Sequence, residues 1–143
     1  MVNKLFINTE KGFAAIRMIV IAVILGVLII GIFVKFAHDR RKVDKQLAVA
    51  ITKINLENLR KAVISFYAME KRCPRTDLSN LADGTSPSGR VHIQGIPEDG
   101  VTGSRKVVNY QGNSGGWYWD NIGKKVHVNL TGNDVNGKPY SEY

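Results

Sequence analysis

Residues 13–36 hold 20 apolar side chains in 24 positions, and no charged residue stands between Met18 and Val34. This run constrains the fold more than any other feature of the chain. As a helix, the 22 residues 13–34, interrupted only by Arg17, extend for roughly 33 Å, enough for the ~30 Å hydrocarbon core of a bilayer. Burying such a helix inside the protein needs a large apolar shell, because it is apolar on every side. The rest of the chain cannot supply one: residues 74–143 hold only 20 apolar side chains in 70 positions, with 11 of the 14 glycines and all four prolines. A cleaved secretory signal is excluded as well, since the apolar run is too long and no small-x-small site follows it. The expectation is a membrane-spanning helix joined to a lean, turn-rich head.

Polarity changes at Lys35, but the helical signal continues. Leu47, Ile51, Ile54, Asn58, Ala62 and Phe66 fall at helical spacing, with Ala48, Leu59, Val63 and Tyr67 as a second row. No Pro or Gly occurs between Phe36 and Cys73, and Cys73-Pro74 ends the pattern. One helix from about Phe13 to Arg72 is predicted, its second half amphipathic. In the head, residues 90–94, 105–110, 117–119 and 126–130 read as short strands. Asp120-Asn121-Ile122-Gly123 reads as the turn of a hairpin between the last two. Val126, Val128 and Leu130 point one way, and His127 and Asn129 the other. That alternation predicts an antiparallel sheet with one buried face, covered by the amphipathic half of the helix.

Little in the sequence points to catalysis. A single cysteine, Cys73, excludes an internal disulfide framework, and three scattered histidines leave little for zinc. No Gly-x-Ser-x-Gly or phosphate-binding Gly-x-x-x-x-Gly-Lys motif occurs, and Gly-Asn-Ser-Gly-Gly at 112–116 reads as a connection between strands. Glu98, Asp99 and Asp120 read as solvated turn residues, so the protein is expected not to be an enzyme. Cys73 is expected to be buried beside Pro74. Trp117, Tyr118 and Trp119 with Arg105, Lys106, Lys124 and Lys125 have the residue types of a nucleic-acid stacking patch. The period of two sends both tryptophans to the core, which leaves nucleic acid as the lesser alternative.

Immediately before the apolar run stands Glu10-Lys11-Gly12-Phe13, a short basic leader ending in Gly with Phe opening the helix. Here the chain resembles the type IV pilin and type II secretion pseudopilin superfamily. Gly26, the stretch from Asn58 to Tyr67 followed by Cys73-Pro74, Ile96-Pro97-Glu98-Asp99-Gly100, and Gly115-Gly116-Trp117-Tyr118-Trp119 extend the likeness over most of the chain. The resemblance implies an α+β, pilin-like fold, with a long N-terminal helix packed on a small antiparallel β-sheet. It divides the chain into a leader at 1–12, a transmembrane and polymerising segment at 13–34, an amphipathic helix at 35–73 and a β-rich head at 74–143. It implies cleavage between Gly12 and Phe13 by an inner-membrane prepilin peptidase and methylation of the new amine. Assembly with other pilin or pseudopilin subunits through a membrane platform would follow, with Phe13, Arg17 and Gly26 at the assembly surface. The location implied is a bacterial inner membrane, crossed once, with the N-terminus cytoplasmic and the head periplasmic or extracellular. A non-polymerising single-pass protein and a DNA-binding or adhesive minor pilin are the alternatives.

Two residues depart from the family pattern. Arg17 stands at the fifth position of the expected mature chain, where the family usually has a Glu that neutralises a neighbour's amine. A cation there cannot make that pair, so it either reaches for lipid headgroups or marks a specialised subunit. Val34 stands where many relatives have Pro, so the helix is expected to be continuous. The charge around the span also opposes the implied topology: Lys35, Arg40, Arg41, Lys42 and Lys45 follow it, against Lys4 and Lys11 before it. The family's major pseudopilins hold a structural calcium in a loop near the C-terminus. Asn133, Asp134 and Asn136 with Gly137 are the corresponding oxygen-rich turn here. With one carboxylate and no bidentate Glu, an Asx turn is the expected reading, and no cofactor is expected.

Overall fold

The computed structural model describes the backbone of residues 3–143 and the side chains of residues 16–143. The chain forms two compact units, Met1–Arg41 and Lys42–Tyr143. Together they give an α+β layout: helix α1 (Asn3–Glu70), then a three-stranded sheet of β1 (Val107–Val108), β2 (Trp117–Asp120) and β3 (Lys125–Val128).

In the first unit the helical backbone runs without a break through Gly26, Gly31 and Val34, as the absence of proline predicts. It begins at Asn3 rather than near Phe13. Residues 1–12 contain no Pro, and their one Gly is not enough to stop a helix already nucleated downstream.

In the second unit α1 buries Val49, Leu56, Leu59, Ala62, Val63 and Phe66 against Leu78, Leu81, Trp117, Trp119, Val126, Val128 and Leu130. The buried row Val49, Thr52, Leu56, Leu59, Val63, Phe66 steps by three and four in turn. Of the two rows expected from the sequence, the first is correct only at Ala62 and Phe66, and the second is correct at Leu59 and Val63. Leu47 and Ile54 are 58% and 59% exposed, and Asn58 and Tyr67 are also exposed. Steps of four drift about 40° each round a helix, so that row reaches the core only at Ala62 and Phe66. The true face is hard to see because its second member is polar. Thr52 is fully buried; its hydroxyl donates to the Ala48 carbonyl at 2.9 Å and accepts the Gly100 N–H at 2.8 Å. The helix ends where Lys71 enters the left-handed region (φ 54°) and its N–H returns to the Tyr67 carbonyl at 3.0 Å.

The sheet has the order β1-β2-β3 and is mixed, not antiparallel throughout. β2 and β3 form the expected antiparallel hairpin, with Trp117 opposite Val128 and Trp119 opposite Val126. β1 runs parallel to β2, Val107 opposite Trp117. The glycine-rich connection between them loops right round, so β2 sets off in the same direction as β1. Gly116 makes this possible: at φ +74°, a Cβ there would overlap the Lys106 carbonyl. The segment 105–110 is a strand only at Val107–Val108, and 90–94 is not a strand. Instead the His92 and Ile93 N–H groups both donate to the Leu81 carbonyl, at 2.8 and 3.1 Å. His92 meets the Phe66 ring edge-on at 5.2 Å.

Candidate functional site

Every large apolar side chain from Ile16 to Phe36 is at least half exposed, on all sides of the helix. An 18-residue window of α1 reaches a mean hydropathy of 3.0 with none of it buried, so this helix is long and apolar enough to cross a membrane near the N-terminus. A Cβ built at Gly26 or Gly31 meets nothing within 4 Å, so both are open to close approach from outside the chain. Arg17 lies in this segment and has an interaction of its own within the chain. Gly12 and Phe13 lie outside the residues whose side chains are described. The predicted assembly residues Phe13, Arg17 and Gly26 are therefore on one helix.

The head presents tightly tied loops. Asp99, expected in a solvated turn, is fully buried. Its Oδ1 accepts the N–H groups of Val101 at 3.0 Å and Thr102 at 2.6 Å. Its Oδ2 accepts the Gly116 N–H at 2.6 Å and the Thr102 hydroxyl. Four donors offset the cost of burying a charge. Glu98 is exposed and pairs with Arg105, its Oε1 2.8 Å from Nη2 and 3.0 Å from Nε. The two neighbours thus do different work, and neither is set up for acid–base chemistry.

Asn129, expected to point outward with His127, is also fully buried. Its Oδ1 accepts the Gly112 N–H at 2.7 Å, and its Nδ2 donates to Ser114 Oγ at 2.8 Å and to the Gly115 carbonyl at 3.2 Å. This one amide makes three of the hydrogen bonds that hold the loop leading into β2. Sequence alternation missed it because β3 ends at Val128, so Asn129 no longer obeys the strand period.

The calcium candidates Asn133, Asp134 and Asn136 do lie in one turn, but they do not fit a calcium site. Asp134 Oδ1 accepts the N–H groups of Asn136 at 2.7 Å and Lys138 at 2.9 Å. Its Oδ2 accepts the Tyr143 hydroxyl, and Lys53 Nζ stands 3.9 Å away. A carboxylate so engaged has no open side for a cation, and the nearest charge is an ammonium. The hydrogen bond from Tyr143, with help from the Lys138 and Asn136 N–H groups, holds the Asp134 carboxyl down to about 2. Burial pushes the Tyr143 phenol up, and the Asp134 carboxylate pushes it the same way. Among the described residues no three His, Cys, Asp or Glu side chains form a metal-binding group.

Trp117 and Trp119 are buried, as predicted, and Trp117 Nε1 donates to the Pro97 carbonyl at 2.8 Å. Tyr118 faces outward and stacks on His127 at 5.9 Å. Burial, then the nearby Arg60 and Lys125, hold His127 below its usual value. A ring whose charged form is disfavoured in this way suits stacking on Tyr118 better than contact with a phosphate. Cys73 is partly buried and lines an apolar cleft of about 430 Å³ with Pro74, Tyr67 and Trp119. No family model, no curated protein and no solved structure matches the chain.

Proposed function

We propose that the protein is a structural subunit of a type II secretion pseudopilus or related pilus-like filament, not an enzyme. In this reading a prepilin peptidase cuts between Gly12 and Phe13, and the subunit waits in a bacterial inner membrane before polymerising through α1. One observation carries the proposal: the Ile16–Phe36 surface is apolar on all sides and wholly uncovered, while the second unit closes a core of its own. Such a segment exchanges lipid for neighbouring helices at little cost, since both surroundings are apolar. Small residues such as Ala22 and Gly26 then set how closely helices approach. The leader motif supplies the direction, with the N-terminus cytoplasmic, against the basic residues that follow the span.

The test is N-terminal sequencing of the protein extracted from membranes. A chain beginning at methylated Phe13 is expected. A chain that keeps Met1 overturns the proposal.

A further inference from the structure

We propose that the C-terminal end of the apolar segment carries a binding site for an anionic phospholipid, with Arg40 on the phosphate. The inference rests on the membrane reading of residues 16–36 and on nothing else in the proposed function. Ile32, Phe33, Phe36, Ala37 and Arg40 line a cleft of about 510 Å³ on α1. Ile32, Phe36 and Arg40 follow one another at four-residue spacing, with Phe33 and Ala37 beside them, so all five share one helix face. Phe33 and Phe36 are 72% and 64% exposed. Arg40 sits one turn, about 6 Å, beyond Phe36.

The face therefore changes within one turn from two uncovered aromatic rings to a guanidinium. The ion pairs Lys53–Asp134 and Arg105–Glu98 lie elsewhere, and among the described residues no carboxylate holds Arg40. With residues 18–34 in hydrocarbon, Phe36 falls at the boundary and Arg40 among the headgroups. An acyl chain covers the rings while the headgroup phosphate accepts from the planar fork of Arg40 in a bidentate pair. A soluble phosphate answers only the guanidinium, and an apolar helix answers only the rings. A phospholipid bearing net negative charge answers both.

The full chain in micelles containing equal phosphatidylglycerol and phosphatidylcholine tests this, with retained lipids counted by native mass spectrometry. The wild type is expected to prefer phosphatidylglycerol. Arg40→Gln is expected to lower that preference about fivefold, the size expected for one basic residue at an anionic surface. Lys35→Gln, about 140° away round the helix, is expected to change it less than twofold. Equal losses in the two variants, no loss in Arg40→Gln, or displacement of the lipid by inorganic phosphate each overturns the site. Carbonate extraction of the same protein from vesicles separates the two readings. A chain that washes off overturns both the membrane reading and the lipid site, whereas a chain that stays embedded with an unchanged Arg40→Gln preference overturns the lipid site alone.

Discussion

Asp99 Oδ2 accepts the Gly116 N–H at 2.6 Å, joining two loops 17 residues apart. The same carboxylate organises its own turn through Val101 and Thr102. It is thus the fastener between the loop entering β1 and the loop entering β2. Replacing it with Ala strands several buried N–H donors, each costing about 1–3 kcal/mol. We expect Asp99→Ala to lose about 3 kcal/mol, and Asp99→Asn about half of that, since the amide keeps one acceptor. Denaturation of the full chain in detergent, followed by the fluorescence of buried Trp117 and Trp119, measures both. A loss below about 1 kcal/mol for Asp99→Ala would show that the fastener is dispensable.

The partner of that bond sets a second expectation. Gly116 has φ +74°, and a Cβ there overlaps the backbone carbonyl of Lys106, which is fixed by its bond to Trp117 N–H at 2.8 Å. Gly137 has φ +81° but open space around it. The left-handed backbone alone costs an L-residue about 1–2 kcal/mol. Gly137→Ala should therefore lose about 1 kcal/mol, and Gly116→Ala clearly more, because the clash with backbone adds to the strain. The same unfolding measurement separates them, and equal losses would mean that the loop can shift to make room.

These tethers also mark where the sequence was legible and where it was not. The apolar run, the hairpin and the buried tryptophans are set by local periodicity, and the structure has them. Thr52, Asp99 and Asn129 are polar residues buried because distant backbone groups need them, and no local pattern carries that need. Thr52 hid the true face of α1. Asn129 and Gly116 together bend the chain so that β1 lies parallel to β2, which strand spacing alone does not reveal. The open Ile16–Phe36 surface could be read in advance because it depends on composition alone.

The turn at Asp134 predicts an acid response. The Tyr143 hydroxyl is the largest cause holding the Asp134 carboxyl at about 2, below its ordinary 3.8. A depressed carboxyl contributes stability that is fully present above about pH 4 and lost as pH falls towards 2. In Tyr143→Phe the carboxyl should titrate closer to 3.8, moving the loss to higher pH. Carboxyl chemical shifts across a pH titration give the answer directly, and an unchanged titration would mean that the Asn136 and Lys138 N–H groups suffice. Calcium should leave the titration of the wild type unaltered, since the carboxylate has no open side for it.

Arg17 yields the prediction most specific to the proposed function. If the chain is cut after Gly12 and polymerises as proposed, the family resemblance places Arg17, then the fifth residue, near a neighbour's N-terminal amine among apolar helices. At an effective dielectric of about 20, two like charges 4 Å apart repel by roughly 4 kcal/mol. On that proposal, subunits that all carry Arg17 would oppose their own polymerisation, whereas a neighbour bearing a carboxylate would welcome the guanidinium. We expect the wild type to enter filaments as a minority beside carboxylate-bearing subunits, and Arg17→Glu to polymerise by itself. Quantifying each chain in sheared filaments, with membrane-retained protein as the reference, tests this. Equal incorporation of the two chains would leave Arg17 as a membrane anchor, its charge carried to the headgroups instead of to a neighbour.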